Sequence, residues 1–211
     1  DRIFADSLAN QNISLGYYFK IFVQPDEEAA TGQLPEAIAK MDSTWGQRLP
    51  INEAEGFVGN LPALQNAAMS GGFFDNPFVA ADGVFRRVPL VQSYDNNLHA
   101  SLALAVARLA LNNPRLEMLV ETDGREGDQD YYALEAINLG SYRIPVDHNA
   151  AVYVPYRGKQ KSFPYVPAYK ILDKTADKSI LRDKIVLIGT TAPGLLDLRS
   201  TPVQNVYPGV E

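Results

Sequence analysis

The sequence contains no cysteine. This absence excludes disulfide frameworks, thiolate zinc sites, iron–sulfur clusters and cysteine nucleophiles, although it does not fix the compartment in which the chain folds. No membrane span is present either. The longest uncharged stretch, residues 56–74, is interrupted by four glycines, a proline and several polar side chains, whereas a span needs about 20 predominantly apolar residues. The chain begins at Asp1 without a basic and apolar leader, so we expect it to be an excised piece of a longer protein.

Catalytic and metal-binding motifs are also lacking. The two histidines, His99 and His148, have no metal-ligand spacing, and His99 is expected at a helix start in a capping or surface role. No GxSxG elbow occurs. Residues 189–194 have the glycine spacing of a phosphate loop, but Leu195 and Leu196 follow where a lysine and a hydroxyl are required. The acidic residues between 121 and 130 lack the ligand order of a calcium loop and indicate a solvated surface. We therefore predict no catalytic residue, no metal and no cofactor.

The chain has few basic residues relative to acidic ones. Nineteen Lys and Arg stand against 25 Asp and Glu, which gives a net charge of −6. A phosphate backbone would be repelled by this average field, and Arg86-Arg87 is the only notable basic cluster. Nucleic acid is therefore not expected as a partner.

The remaining composition is that of a folded protein. At 211 residues, with 46% hydrophobic and 21% charged residues, the chain can bury roughly 70% of its unfolded surface around a core. We predict one α/β domain over residues 1–211, a layered fold with a mixed central β-sheet flanked by helices.

Hydrophobic periodicity and start signals predict five helices, over residues 1–10, 35–41, 61–69, 98–111 and 164–172. Of these, the segment 98–111 has the clearest helical repeat, with Asn96 or Asn97 as its cap and Pro114 closing its end.

Strands are predicted over residues 13–19, 73–79, 131–137, 142–146 and 151–156. The dipeptide Asp82-Gly83 predicts the turn of a hairpin. Residues 112–130 are polar and interrupted by glycine, and indicate a surface excursion. The continuous aliphatic run at residues 183–189 suggests a strand buried on both faces in the middle of the sheet.

Several polar side chains are candidates for binding. Adjacent residues of a strand face opposite sides, so either Arg86 or Arg87 should point inward and find a carboxylate, Asp82 or Asp197. Structural pairing and anion binding both remain open for these arginines. The same alternatives apply to Arg157, which ends a strand. Loops after sheet strands are common ligand sites, which adds Thr190 and Thr191. The candidate ligand-binding residues are Asp82, Arg86, Arg87, Tyr156, Arg157, Thr191 and Asp197.

Nine short stretches follow one another along the chain: Asp1-x-x-Phe-Ala-x-Ser-Leu8, Asp82-Gly-Val-x-Arg-Arg-x-Pro-Leu90, Ser101-Leu-Ala-Leu104, Val154-x-Tyr-Arg-Gly158, Ser162-Phe163, Lys184-Ile-Val-Leu-Ile-Gly189, Thr191-Ala-Pro-Gly194 with Asp197, Thr201-Pro202, and Tyr207-Pro-Gly-Val-Glu211. In this order they resemble the CHASE2 domain, an extracytoplasmic sensory module of bacterial transmembrane receptors. Together they cover almost the whole chain.

The resemblance implies a non-catalytic sensor on the periplasmic face of the inner membrane, held by transmembrane helices that flank it in the parent protein. It implies a cytoplasmic output such as an adenylate or guanylate cyclase, a histidine kinase, a diguanylate cyclase or a Ser/Thr kinase. The family's earliest strand and helix precede the Asp1 motif, so the segment is expected to lack them and any pocket that they complete. The partner would be a small-molecule ligand or a periplasmic protein. The alternative is an interaction or dimerisation module without a small-molecule ligand, and a homodimer remains open.

Overall fold

A computed structural model describes residues 1–41, 49–122, 132–191 and 197–211 of the chain. These residues form α-helices and strands in a mixed arrangement, which confirms the predicted α/β class. The helices are α1 (Arg2–Leu8), α2 (Pro62–Ala67), α3 (Leu102–Ala110) and α4 (Ala168–Leu172), with a 3-10 turn at Lys178–Ile180. None of the helices in the described ranges has the length and apolar character needed to cross a membrane.

The strands are short and numerous, and helices are the minor component. They are β1 (Ser14–Lys20), β2 (Ala30–Thr31), β3 (Ala39–Lys40), β4 (Gly56–Val58), β5 (Ser70–Phe73), β6 (Arg87–Pro89), β7 (Val91–Tyr94), β8 (Asn97–Ala100), β9 (Leu116–Thr122), β10 (Tyr132–Leu139), β11 (Tyr142–Pro145), β12 (Ala151–Tyr153), β13 (Leu198–Thr201) and β14 (Gln204–Pro208).

These strands are distributed over five small sheets within the described ranges. The largest has the order β2-β4-β1-β5 and is mixed, because β1 runs antiparallel to β4 and parallel to β5. The others have the orders β11-β10-β9, β3-β8-β7, β12-β6 and β13-β14.

The chain divides into two compact units. The larger unit comprises Asp1–Pro77 and Val88–Val152, and the smaller unit comprises Phe78–Arg87 and Tyr153–Glu211. Both apolar clusters of buried side chains lie in the larger unit. One cluster packs Leu98 and Leu104 against Ile137 of β10, and the other joins Tyr17 and Phe19 of β1 to Phe73.

The larger unit corrects two predicted helices. Residues 35–41 are not helical, because the N–H groups of Ile38 and Met41 donate to backbone carbonyls of residues 98 and 96 beside β8, at 2.8 and 2.9 Å. The helix predicted at 98–111 begins later. Asn97–Ala100 forms strand β8, and the Ser101 hydroxyl caps α3 by accepting from the N–H of Leu104 at 3.3 Å. Tertiary strand pairing thus overrides the local helical signal at both places.

Two glycines shortly after α2 allow close packing of a helix on a strand. Gly71 and Gly72 both lie inside β5. A Cβ at Gly72 would stand 2.5 Å from Cα of Leu102, so only glycine lets α3 approach this strand. In place of the strand predicted at residues 73–79, the structure has β5, which starts and ends earlier. Strand β9, Leu116–Thr122, lies in the stretch that was predicted to be a surface excursion.

The smaller unit corrects the prediction for residues 183–189. They form no helix or strand, and Ile185, Val186, Leu187 and Ile188 are 62%, 52%, 58% and 97% exposed. A central strand needs a paired strand on each side, and none of the described residues pairs with this segment. The aliphatic composition alone could not reveal whether those neighbours exist.

Candidate functional site

All seven candidate ligand-binding residues fall in the smaller unit. This unit contains 11 Lys and Arg against six Asp and Glu, whereas the larger unit contains eight against 19. The net charge of −6 therefore conceals a basic smaller unit of +5 and an acidic larger unit of −11. A basic surface attracts anions and acidic partners, so the net charge of the whole chain does not describe the field around the smaller unit.

Asp82 and Arg86 form a bidentate ion pair. The turn that begins at Asp82 uses a positive φ of 75° at Gly83, and the Asp82 carboxylate accepts from the N–H of Val84 at 3.1 Å. Arg86 donates through Nη1 and Nη2 to the two oxygens of Asp82, at 2.9 and 2.7 Å. These hydrogen bonds hold the pKa of Asp82 down at about 2, so the carboxylate stays charged.

The ion pair corrects part of the sequence interpretation. The sequence predicted that either Arg86 or Arg87 would point inward and find a carboxylate. Arg86 finds Asp82, but their side chains are 42% and 54% exposed, so this pair lies at the surface. The predicted hairpin is absent as well. Val84 bridges in parallel to Ser200, and β6 pairs with β12, because the segment before the turn forms no strand that could pair across it.

Phe85 is the point at which several candidates meet. Its N–H donates to the carbonyl of Ser200 at 2.8 Å, and its carbonyl accepts from the Tyr156 hydroxyl at 2.9 Å. The guanidinium of Arg199 lies 5.7 Å from the centre of the Phe85 ring, and Arg199 pairs with Asp197 at 3.3 Å. The structure thus gathers Asp82, Arg86, Tyr156 and Asp197 around one short segment.

Two of the candidate arginines each lie against an aromatic ring. The guanidinium of Arg87 lies 5.2 Å from the ring centre of Phe78, and that of Arg157 lies 5.4 Å from the ring centre of Phe163. An aromatic face attracts a cation and orients its planar group. Arg157 is exposed and has no ion pair or hydrogen bond to its side chain within the described part of the chain.

Arg157 and Thr191 are not brought to Phe85 by any contact among the residues described. Thr191 is exposed and borders residues 192–196, so half of the predicted loop at 189–194 lies outside the described residues. Most of the acidic segment at residues 121–130 also lies outside the described residues, which exclude residues 123–130. Elsewhere in the described ranges, no group of three or more His, Cys, Asp or Glu could hold a metal ion.

Sequence reasoning missed the carboxylate of Glu211. It accepts from the N–H groups of Lys161 and Ser162, at 2.9 and 2.8 Å, and from the Tyr165 hydroxyl at 2.5 Å. Burial acts to raise the pKa of Glu211, but these hydrogen bonds prevail and lower it. Burial, together with the Glu211 carboxylate, raises the pKa of Tyr165 to about 12. No local motif signals this contact, because its partners are about 50 residues apart.

Sequence reasoning also misplaced His99. It lies on β8, is 4% exposed, and packs edge-on against Phe19 with 5.6 Å between ring centres. Its Nδ1 atom and the Tyr17 hydroxyl are buried without a hydrogen-bond partner within the described ranges. Desolvation lowers the pKa of His99 to about 4, so the ring is neutral near pH 7.

A half-buried carboxylate accompanies these groups in the larger unit. Asp75 accepts from the N–H of Phe19 and from Nε2 of Gln92, both at 2.8 Å, and Gln92 in turn accepts from Asn52 at 2.7 Å. Burial raises the pKa of Asp75 despite these hydrogen bonds. Burial and the nearby Asp75 charge also raise the pKa of Tyr17.

Comparison with known proteins assigns the family. Neither the characterised proteins nor the solved structures gave a significant match. A family model described as the CHASE2 domain matches residues 1–211. Since that match covers the entire sequence, the chain belongs to the CHASE2 family, the extracytoplasmic sensory domains of receptors.

Proposed function

We propose that this domain senses a small organic anion outside the membrane and transmits the signal, through flanking transmembrane helices, to a cytoplasmic enzyme. The observation that carries the proposal is the concentration of Arg86, Arg87, Arg157 and Arg199 in one unit of net charge +5. Guanidinium groups bind carboxylates through paired, charge-assisted hydrogen bonds. A cyclase is the output that we favour.

The Asp82–Arg86 pair supplies a competing carboxylate inside the candidate site. Both oxygens of Asp82 are already bound by Arg86. A ligand carboxylate can engage Arg87 and Arg157, and it must then either leave this pair intact or displace Asp82 from it. Displacement would release the turn at residues 82–84, so the domain would have one state with the Asp82–Arg86 pair intact and one with it broken. A ligand that binds the second state more tightly shifts the domain towards it.

A thermal-shift screen of organic acids tests the proposal. A ligand at 100 times its Kd stabilises the folded state by about 2.7 kcal/mol, which is readily measured as a rise in Tm. We expect Arg87→Ala and Arg157→Ala each to reduce that rise. The matched control is Arg143→Ala, an exposed arginine on β11 of the acidic larger unit, which should leave the rise unchanged. A ligand whose shift survives both substitutions in the smaller unit would remove these arginines from the site.

A second candidate is an interaction module without a small-molecule ligand, whose parent has a histidine kinase or diguanylate cyclase output. Thirteen of the 22 exposed large hydrophobic side chains among the described residues belong to the smaller unit, which favours docking by this unit. Sedimentation at several concentrations separates the two candidates: association without any response to small molecules supports the second.

The membrane placement is tested by the gene on either side of this segment. Apolar runs of about 20 residues there would support anchoring by transmembrane helices. A parent protein that lacks them would contradict the proposed route of the signal.

A further inference from the structure

The donors that hold Glu211 form a complete binding site for a carboxylate group. Oε2 of Glu211 accepts from the N–H of Lys161 at 2.9 Å and from the Tyr165 hydroxyl at 2.5 Å. Oε1 accepts from the N–H of Ser162 at 2.8 Å. One short segment therefore satisfies both oxygens, and hydrogen bonds to a charged acceptor are stronger than those between neutral groups. We call these three donors the 161–165 site.

The backbone of this segment has a shape that suits an anion. Lys161 has a φ of 73°, a left-handed conformation that is uncommon for a residue other than glycine. Successive N–H groups in such a turn converge on one side and form a concave anion-binding nest. The N–H groups of Lys161 and Ser162 both donate to the Glu211 carboxylate in this way. The conformation is costly by itself and persists where surrounding contacts support it, and a bound carboxylate supplies such contacts.

The cation beside this site has no anionic partner. Among the described residues, no Lys or Arg forms an ion pair with Glu211. The guanidinium of Arg157, also without an ion pair there, lies 5.4 Å from the ring centre of Phe163. Burial acts to raise the pKa of Glu211, but hydrogen bonds, including one from the N–H of Phe163, lower it. Phe163 thus contacts both groups, and a ligand with a second carboxylate can pair with the guanidinium that Glu211 does not use.

Glu211 belongs to a segment that also contacts the residues gathered around Phe85. Two positions before Glu211, the N–H of Gly209 donates to the carbonyl of Asp197 at 2.9 Å. Asp197 pairs with Arg199 at 3.3 Å, and that guanidinium lies 5.7 Å from the ring centre of Phe85. All of these residues lie in the smaller unit. A displacement of Glu211 would therefore disturb contacts that extend to the candidate ligand-binding residues.

We propose that the 161–165 site binds one carboxylate group of a free dicarboxylate, and that Glu211 occupies it as an intramolecular competitor when this ligand is absent. The second carboxylate of the ligand pairs with Arg157. The inference rests on the proposed function, since it names the class of the sensed anion and the donors that hold it. Binding releases Glu211 and the segment that follows β14, so the bound and unbound states differ in the position of this segment.

Calorimetric titration of the 211-residue chain with succinate tests the competition. We expect Glu211→Ala to bind succinate at least about tenfold more tightly than wild type, because a site that is open for a tenth of the time or less loses that factor in apparent affinity. The matched control is Asp173→Ala, which removes one carboxylate from an exposed position after α4 of the same unit. It should leave the Kd unchanged.

The donors are tested in the Glu211→Ala background. Tyr165→Phe should weaken succinate binding about tenfold, because a hydrogen bond to a charged group is lost. Tyr169→Phe is its control, at a 59% exposed position of α4, and should have no effect. Arg157→Ala should weaken the binding of succinate but not that of acetate, which has no second carboxylate.

Amide hydrogen exchange, followed by NMR, tests the competitor without any ligand. The N–H of Lys161 donates to Glu211, whereas that of Ser162 is shared with the carbonyl of Lys159 at 3.1 Å. Exchange of the Lys161 amide should therefore be at least about tenfold faster in Glu211→Ala than in wild type. With succinate added to wild type, this amide should stay protected, while the Gly209 amide should exchange faster because its segment is released.

Two results would overturn the inference and leave the proposed function standing on its own test with Arg87→Ala. One is succinate binding by Glu211→Ala that is no tighter than that of wild type, and the other is binding that Tyr165→Phe does not weaken. Tight binding by Glu211→Ala with no response of wild type to any organic acid would instead support the site and contradict the proposed function. Circular dichroism of each variant distinguishes loss of binding from loss of folding.

Discussion

The two units of this chain differ in how they use apolar residues. The larger unit buries them in two clusters, with Val91, Leu98 and Ile137 at 0% exposure. In the smaller unit, the described residues that are buried are Thr201, Tyr207 and Pro208. Similar sequences of Ile, Val and Leu are thus core in one unit and surface in the other. Burial depends on neighbouring strands as much as on composition.

The units differ in the treatment of charge as well. The smaller unit displays its ionic groups, such as the Asp82–Arg86 pair, at the surface. The larger unit, by contrast, buries polar groups, and three of their atoms have no hydrogen-bond partner within the described ranges: the hydroxyls of Ser14 and Tyr17, and Nδ1 of His99. Stability should therefore depend mainly on the larger unit, and binding mainly on the smaller one.

The largest expected contrast comes from truncating leucines. Leu98→Ala should lower the free energy of unfolding by about 2–5 kcal/mol, because it leaves a cavity in the core. Leu172→Ala, at an 80% exposed position of the smaller unit, should change it by less than about 0.5 kcal/mol. Urea denaturation of both variants measures the difference. Equal losses of unfolding free energy would show that another surface covers Leu172 in solution. They would contradict the difference in burial between the two units.

A pH-dependent loss of stability should come from the larger unit. The pKa of His99 is about 4 in the fold and 6.5 in its ordinary state. Between those values the unfolded chain binds the proton more readily, so stability is lost as pH falls from about 6.5 towards 4. The full effect is about 3 kcal/mol.

The raised pKa of Asp75 has the opposite effect. Its carboxyl group binds a proton more readily in the folded than in the unfolded chain, so this group adds to the free energy of unfolding as pH falls. The His99→Gln variant has no titrating group at this position. Its unfolding free energy should therefore lack the His99 decrease when urea curves at pH 7 and pH 4.5 are compared. The same decrease in wild type and variant would assign the pH dependence to other groups.

The smallest contrast concerns two tyrosine hydroxyls. The Tyr17 hydroxyl is buried and has no hydrogen-bond partner in the part of the chain that the structure describes, so Tyr17→Phe should leave stability unchanged or raise it by up to about 1 kcal/mol. The Tyr156 hydroxyl donates to Phe85, so Tyr156→Phe should cost about 0.5–1.5 kcal/mol. Thermal denaturation of each variant measures the sign of its stability change. A loss in Tyr17→Phe would indicate that its hydroxyl has a partner in solution.

Local sequence signals located many of the elements. The amphipathic opening predicted α1, Pro62 marked the start of α2, and alternation predicted the strands that became β10, β11 and β12. Such signals suffice where an element is specified by its own residues and by flanking turn formers. They also sufficed for the turn at Asp82-Gly83, although not for the pairing of the segment that precedes it.

Distant contacts were not predictable in the same way. The capping signal at Asn96 and Asn97 belongs to a hairpin turn, where Asp95 and Asn96 adopt φ of 49° and 58°. At the candidate site, the Asp82–Arg86 pair was among the alternatives because its members are close in sequence. Arg199, Phe85 and Glu211 were missed because their partners come from remote segments.

By itself, the sequence determined the α/β class, the absence of thiol chemistry and the family, because composition and ordered motifs depend on no contact between distant residues. Only the tertiary structure decided that His99 is buried, that residues 185–188 are exposed, and that the charge is divided between two units. The reason is physical: burial and pKa are properties of an environment, and that environment is assembled from segments far apart in the chain.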